Sequence, residues 1–168
     1  MNLYQTFHFQ DDGRIPNNPN LPVILYKKTV EKPEQTMEAL FNKNLWLNSW
    51  TNGVFNYHHY HSNSHEVLGV IKGEAVLIIG GEKGQEIHVQ SGDVIVLPAG
   101  TGHKRLNASF DFSVVGAYPN GKDYNTKYGK EHERPEVLEE IKRVPLPKTD
   151  PITGKKGPLL KEWRKVIT

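Results

Sequence analysis

The 168-residue chain sets 21 Lys and Arg against 19 Asp and Glu, and a net charge of +2 is too small to predict a nucleic-acid partner. It has no cysteine, which excludes disulfides, thiolate catalysis and cysteine-type zinc sites. Apolar runs extend only a few residues, so no transmembrane helix and no membrane partner is expected, and the opening MNLYQTFHFQDD lacks the basic region and apolar core of a secretory signal. These features predict a cytoplasmic protein of one domain over residues 1–168, divided into N-terminal strands and a helix (1–50), a barrel core (51–118) and a C-terminal helix and tail (119–168).

In chain order, Tyr4, Phe7 and Phe9 predict a first strand and Val23 to Tyr26 a second, separated by a turn-rich loop with three prolines. PEQTMEALFNKN, residues 33–44, places Met37, Leu40 and Phe41 at i, i+3 and i+4, the spacing of one helix face. Pro33 suits its first position, and Glu34 the positive end of its dipole. Trp46 and Trp50 follow, and are expected to plug one end of a barrel. Strand signals then dominate as far as Tyr118: Val54–His61, Glu66–Ile71, Ala75–Ile79, Glu86–Val89, Val94–Leu97, His103–Asn107 and Asp111–Ala117. Short strands of even spacing with glycine-rich turns predict an all-β barrel or jelly roll.

Beyond Tyr118 the chain turns polar, and PEVLEEIKRV (135–144) predicts a second helix that Pro145 and Pro147 stop. Leu159, Leu160 and Trp163 are expected to dock on the barrel. The nearby Lys155, Lys156, Lys161, Arg164 and Lys165 alternate with Gly, Pro and Leu and read as a solvated tail.

The chemistry concentrates between Gly53 and Gly73, where four of the eight histidines fall. On a strand, His59 and His61 would point the same way and form a pincer for a transition metal. Glu66 opens the next apolar run after a polar turn, and a hairpin would bring its carboxylate back beside the pincer. His103 begins a strand after the turn of Pro98, Gly100 and Gly102 and offers a fourth ligand. Imidazole and carboxylate together suit one divalent transition metal such as Fe, Mn, Ni or Zn.

These residues resemble the paired motifs of the cupins. Gly53, His59, His61, Glu66 and Gly73 match G-x5-H-x-H-x4-E-x6-G, and Gly92, Pro98, Gly100, His103 and Asn107 match G-x5-P-x-G-x2-H-x3-N, both without a gap. The whole chain, including DPITGKKGPL near its end, resembles the small bacterial YjlB-like cupins. The resemblance implies a double-stranded β-helix with short flanking helices, a His59–His61–Glu66–His103 metal centre, and a homodimer. Cupin motifs with one residue fewer before the acid would place His65 in the ligand position, whereas Glu66 keeps the spacing to Gly73.

Strand alternation nominates further cavity residues: Phe55 and Tyr57 beside His59, Leu68 and Val70 beside Glu66, Arg105 and Asn107 beside His103. Tyr57 is a candidate proton donor or a space-filling ring. Arg105 is a candidate bidentate anchor for a carboxylate or phosphate, or a surface ion pair. The expected function is an enzyme acting on a small polar or anionic molecule, dioxygenase-like or isomerase-like. The alternative is a non-enzymatic module that binds a small molecule or metal, with the ion orienting a ligand or steadying the barrel.

Overall fold

The computed structural model describes residues 4–164, so Lys165 of the basic tail lies outside it. Nine strands form two antiparallel sheets among the described residues. They are β1 (Tyr4–Phe7), β2 (Val23–Tyr26), β3 (Trp46–Asn52), β4 (Glu66–Lys72), β5 (Glu74–Ile79), β6 (Gln85–Gln90), β7 (Val94–Leu97), β8 (His103–Ala108) and β9 (Ser113–Pro119). The larger sheet runs β1-β2-β7-β4-β9-β3 and the smaller β6-β5-β8. Three helices flank them: α1 (Pro33–Lys43), α2 (Glu136–Arg143) and α3 (Pro158–Arg164).

Sequence pattern explains why the larger sheet is sandwiched. Its central strands read VILY, EVLGVIK and VIVL, nearly continuous apolar runs that need cover on both faces. On the inner face Leu25, Leu68, Ile95 and Val114 meet Leu77 and Val89 of the smaller sheet. On the outer face Ile24, Val67 and Val96 meet Met37 and Phe41 of α1 and Leu159 and Trp163 of α3. Gly69 permits the close approach of α1, because a Cβ there would lie 2.5 Å from the Met37 sulfur. By contrast β5 reads as an alternation of buried and less buried residues, as expected of a strand with one inward face.

The structure corrects several expectations. The strand expected over Val54–His61 does not form; Trp46–Asn52 is the strand, and residues 53–61 make only isolated bridges. WLNSWTN hid this because it is an edge strand of the sheet and much of it is partly exposed, so it carries no clean apolar alternation. Trp46 does not plug a barrel end but is fully buried in the outer layer, donating from Nε1 to the Thr149 carbonyl (3.0 Å). The first strand stops at Phe7, and Phe9 packs against Gly80 beyond it. β1 pairs with β2, and β2 with β7. Leu159, Leu160 and Trp163 dock as expected.

Candidate metal centre

The four expected ligands meet at one end of the space between the sheets. His59 and His103 are cross-strand partners, each backbone N–H donating to the other's carbonyl at 3.2 and 3.0 Å. A pair bonded in this way sends both side chains to one face, and their ring centroids lie 4.0 Å apart. His61 stays in register because its carbonyl accepts from the Gly100 N–H (2.8 Å). On the other edge of this stretch, Tyr60 and Lys127 exchange backbone hydrogen bonds. The histidine segment is thus held between the turn before β8 and a strap, residues 123–128, that follows β9.

One nitrogen from each of His59, His61 and His103 lies within 4.8 Å of the other two, and all three residues are buried. Glu66 begins β4 on the inner face, its Oε1 3.3 Å from His61 Nε2 and 3.2 Å from His103 Nε2. Each imidazole uses Nδ1 toward a backbone carbonyl: His59 to Tyr57 (3.1 Å), His61 to Asn125 (2.5 Å) and His103 to Thr101 (3.0 Å). A carbonyl only accepts, so in the neutral rings Nδ1 carries the proton and Nε2 presents a lone pair. With all three rings neutral, lone pairs and a carboxylate oxygen face one another; a protonated His61 would instead donate from Nε2 to Glu66 Oε1. Beside neutral rings Glu66 Oε1 is buried with no hydrogen-bond donor. Backbone carbonyls behind the rings, lone pairs in front and a carboxylate oxygen between them fit a cation.

The electrostatics distinguish the rings. Burial, reinforced by neighbouring His103, pushes His59 down to about 3, so the ring is neutral at physiological pH. Burial also disfavours charge on His61, but the Glu66 carboxylate beside it prevails and raises it above the ordinary imidazole value. Burial pushes Glu66 up, and the flanking His61 and His103 overcome that to hold it well below the usual carboxylate range.

His65 is not part of the cluster. Its Nδ1 accepts from the Ala99 N–H (2.9 Å), its Nε2 faces the Pro145 carbonyl (3.1 Å), and Trp163 packs edge-on at 4.7 Å. The shorter motif spacing is therefore not the one the fold uses.

A cavity of about 300 Å³ opens over the cluster. Its walls are aromatic (Trp50, Phe55, Tyr118, Tyr124) or neutral and polar (Thr51, Asn52, Thr126). Leu68 lines it as expected, whereas Val70, Tyr57, Arg105 and Asn107 do not. Tyr57 is displaced because residues 53–61 are not a regular strand, so alternation fails. Its ring is 42% exposed and stacks on Phe55 at 4.9 Å. Arg105 lies two residues beyond His103, roughly 6.5 Å further along β8, and its backbone N–H bonds the Phe55 carbonyl.

Sequence reading missed Tyr118, Trp50 and the strap. Tyr118 donates to Glu66 Oε2 (2.6 Å) and accepts from Trp50 Nε1 (2.8 Å), while Tyr124 stacks on it at 4.0 Å. Burial and the adjacent Glu66 charge raise the Tyr118 phenol, which keeps its proton. Alternation along β9 would have found it, since Val114, Gly116 and Tyr118 share a face. Nothing in the sequence marks the strap.

Two sheets with a histidine–carboxylate cluster at one end define a cupin, and the family model described as a cupin domain matches residues 50–114. The chain belongs to this family, in its YjlB-like group: the uncharacterized protein YjlB of Bacillus subtilis (strain 168) is 52% identical over 161 residues, covering 96% of this chain and 97% of that protein. Among solved structures, an uncharacterized conserved protein with a double-stranded beta-helix domain from Klebsiella pneumoniae subsp. pneumoniae MGH 78578 is 15% identical, with a TM-score of 0.39 over 74% of this chain and 77% of that one. Acireductone dioxygenase from Bacillus anthracis, with a cadmium ion in its active center, is 14% identical, with a TM-score of 0.41 over 74% and 82%. Both are likenesses of fold alone.

Proposed function

We propose that His59, His61, Glu66 and His103 hold one divalent transition metal (Fe, Mn, Ni or Zn), and that the centre acts as an enzyme on a small polar or anionic molecule. The observation that carries this reading is the approach of one nitrogen each from His59, His61 and His103 to within 4.8 Å of one another, with the Nε2 atoms of His61 and His103 3.3 and 3.2 Å from a buried Glu66 Oε1. A bound ion of this kind supplies Lewis acidity or redox chemistry to an oxygen-bearing ligand. The chain's own residues orient the four donors, wall the cavity with Trp50, Phe55 and Tyr124, and keep a phenol proton at Tyr118 beside Glu66.

Elemental analysis of purified protein tests the reading, with about one metal ion per chain expected and near-zero content in His59→Ala and His103→Ala. Equal and near-zero metal in all three, after incubation with each candidate ion, contradicts it. Oxygen uptake on adding a substrate to iron-loaded protein would assign the dioxygenase branch. Turnover independent of oxygen would assign the isomerase branch. A homodimer and a cytoplasmic location complete the proposal; sedimentation at twice the 19.1 kDa chain mass checks the first, and cell fractionation the second.

A further inference from the structure

Asparagine followed by glycine is the dipeptide most prone to cyclise, because the glycine nitrogen meets no side chain of its own on its way to the asparagine amide carbon. The chain has two such pairs, Asn52-Gly53 and Asn120-Gly121. Both asparagines are exposed, so access to water does not separate them. The backbone does.

Asn120-Gly121 is held on both sides of the peptide. The Asn120 N–H donates to the Leu45 carbonyl (2.8 Å) and the Gly121 N–H to the Tyr118 carbonyl (3.0 Å), with left-handed φ angles of 55° and 71° in the turn after β9. The nitrogen that would attack is engaged elsewhere. Asn52 instead ends the edge strand β3, and Gly53 lies past the β3–β9 ladder. There the Gly53 N–H donates to Oδ1 of Asn52 itself at 2.8 Å, which sets the reacting nitrogen beside the side-chain amide. No atom lies within 4 Å of the place a Gly53 Cβ would occupy, so the chain has room for the rotation about the Asn52 Cα–C bond that closes the ring.

We propose that Asn52 is a self-modification site. The Gly53 nitrogen gives up its proton and bonds to Asn52 Cγ, and the side-chain nitrogen leaves as ammonia. One water then opens the cyclic imide at either carbonyl, giving aspartate or isoaspartate. The reaction needs neither metal nor oxidant, so it holds whatever occupies the histidine cluster. Its consequence falls on the cavity above that cluster, because Asn52 lines it among aromatic and neutral polar groups. A carboxylate replaces an amide on that wall. The isoaspartate form also adds one carbon to the main chain where β3 leads into the segment bearing His59 and His61.

Incubating full-length protein at mildly alkaline pH and body temperature, folded and in urea, tests the inference by peptide mapping in a mass spectrometer. Isoaspartate is read by methylation with a protein-isoaspartyl methyltransferase. In folded protein Asn52 is expected to convert at least tenfold faster than Asn120, with the two rates drawing together in urea. Gly53→Ala, whose methyl has open space, is expected to slow the Asn52 reaction at least tenfold. Equal rates in the folded chain, faster conversion at Asn120, or an Asn52 that converts only in urea would overturn the inference.

Discussion

Tyr118 Oη donates to Glu66 Oε2 at 2.6 Å, which leaves Oε1 as the oxygen turned toward His61 and His103. Register produces this pairing. Leu68 lies opposite Gly116 in the β4–β9 ladder, so the inward positions two residues along are Glu66 and Tyr118. Gly116 in turn faces Trp50 of β3, and a Cβ there would lie 2.3 Å from the indole. The missing side chain makes room for Trp50 Nε1 to reach the phenol. Tyr118→Phe is therefore expected to fold but to lower metal affinity about 10- to 100-fold, the usual effect of losing a group behind a ligand. Competition with a chromophoric chelator measures it; unchanged affinity would show that Glu66 needs no such support.

The strap is expected to matter as much as the barrel. Asn125 offers its carbonyl to His61 Nδ1, its Oδ1 accepts from the Ser62 N–H (2.9 Å), and its Nδ2 donates to Ser62 Oγ (2.8 Å). Asn125→Ala removes the two side-chain bonds and is expected to cost about 1–3 kcal/mol of stability, with faster metal release. Denaturant unfolding and stopped-flow chelation read the two effects separately.

His65 gives a pH dependence of definite sign. Burial pushes it down from 6.5 to about 4, because the neutral ring is satisfied on both sides and the cation is not. Between those values the unfolded chain binds a proton that the folded chain refuses. Its contribution is thus complete above pH 6.5 and is lost as pH falls toward 4, at most roughly 3 kcal/mol. Metal-free wild type is expected to lose more stability than His65→Gln over that interval in guanidinium unfolding. Parallel losses would contradict the assignment.

Gly69→Ala is expected to destabilise by about 1–3 kcal/mol, since the new methyl meets Met37 and Phe41 under α1. In a Met37→Ala background, which removes the clashing side chain, the Gly69→Ala step is expected to cost less than in wild type, read as a double-mutant cycle in denaturant unfolding. An equal cost in both backgrounds would place the strain elsewhere than the helix.

The residues of the cluster were legible in the sequence because they lie in two short, ungapped segments whose spacing is set locally. Their convergence does not need the strand expected over Val54–His61. The bridge between His59 and His103 gives the same alternation with only one pair of hydrogen bonds. Tyr57 and Arg105 were placed by extending that alternation past the residues it governs. Trp50, Tyr118 and Tyr124 come together from β3, β9 and the strap, and pairings between such distant segments leave no local periodicity to read. β3 was hidden for a related reason, since an edge strand half open to solvent lacks the apolar pattern that marks β4 and β7.

The central claim is that three imidazoles and one carboxylate share one ion. X-ray absorption at the zinc edge of stoichiometrically loaded protein tests it most directly, because imidazole rings give a distinct multiple-scattering signature. Three rings with oxygen completing the coordination is the expected result, falling to two in His103→Ala if that variant retains zinc at all. A spectrum with oxygen neighbours alone, or with one ring, would mean that the metal binds elsewhere and that the cluster is not a metal centre.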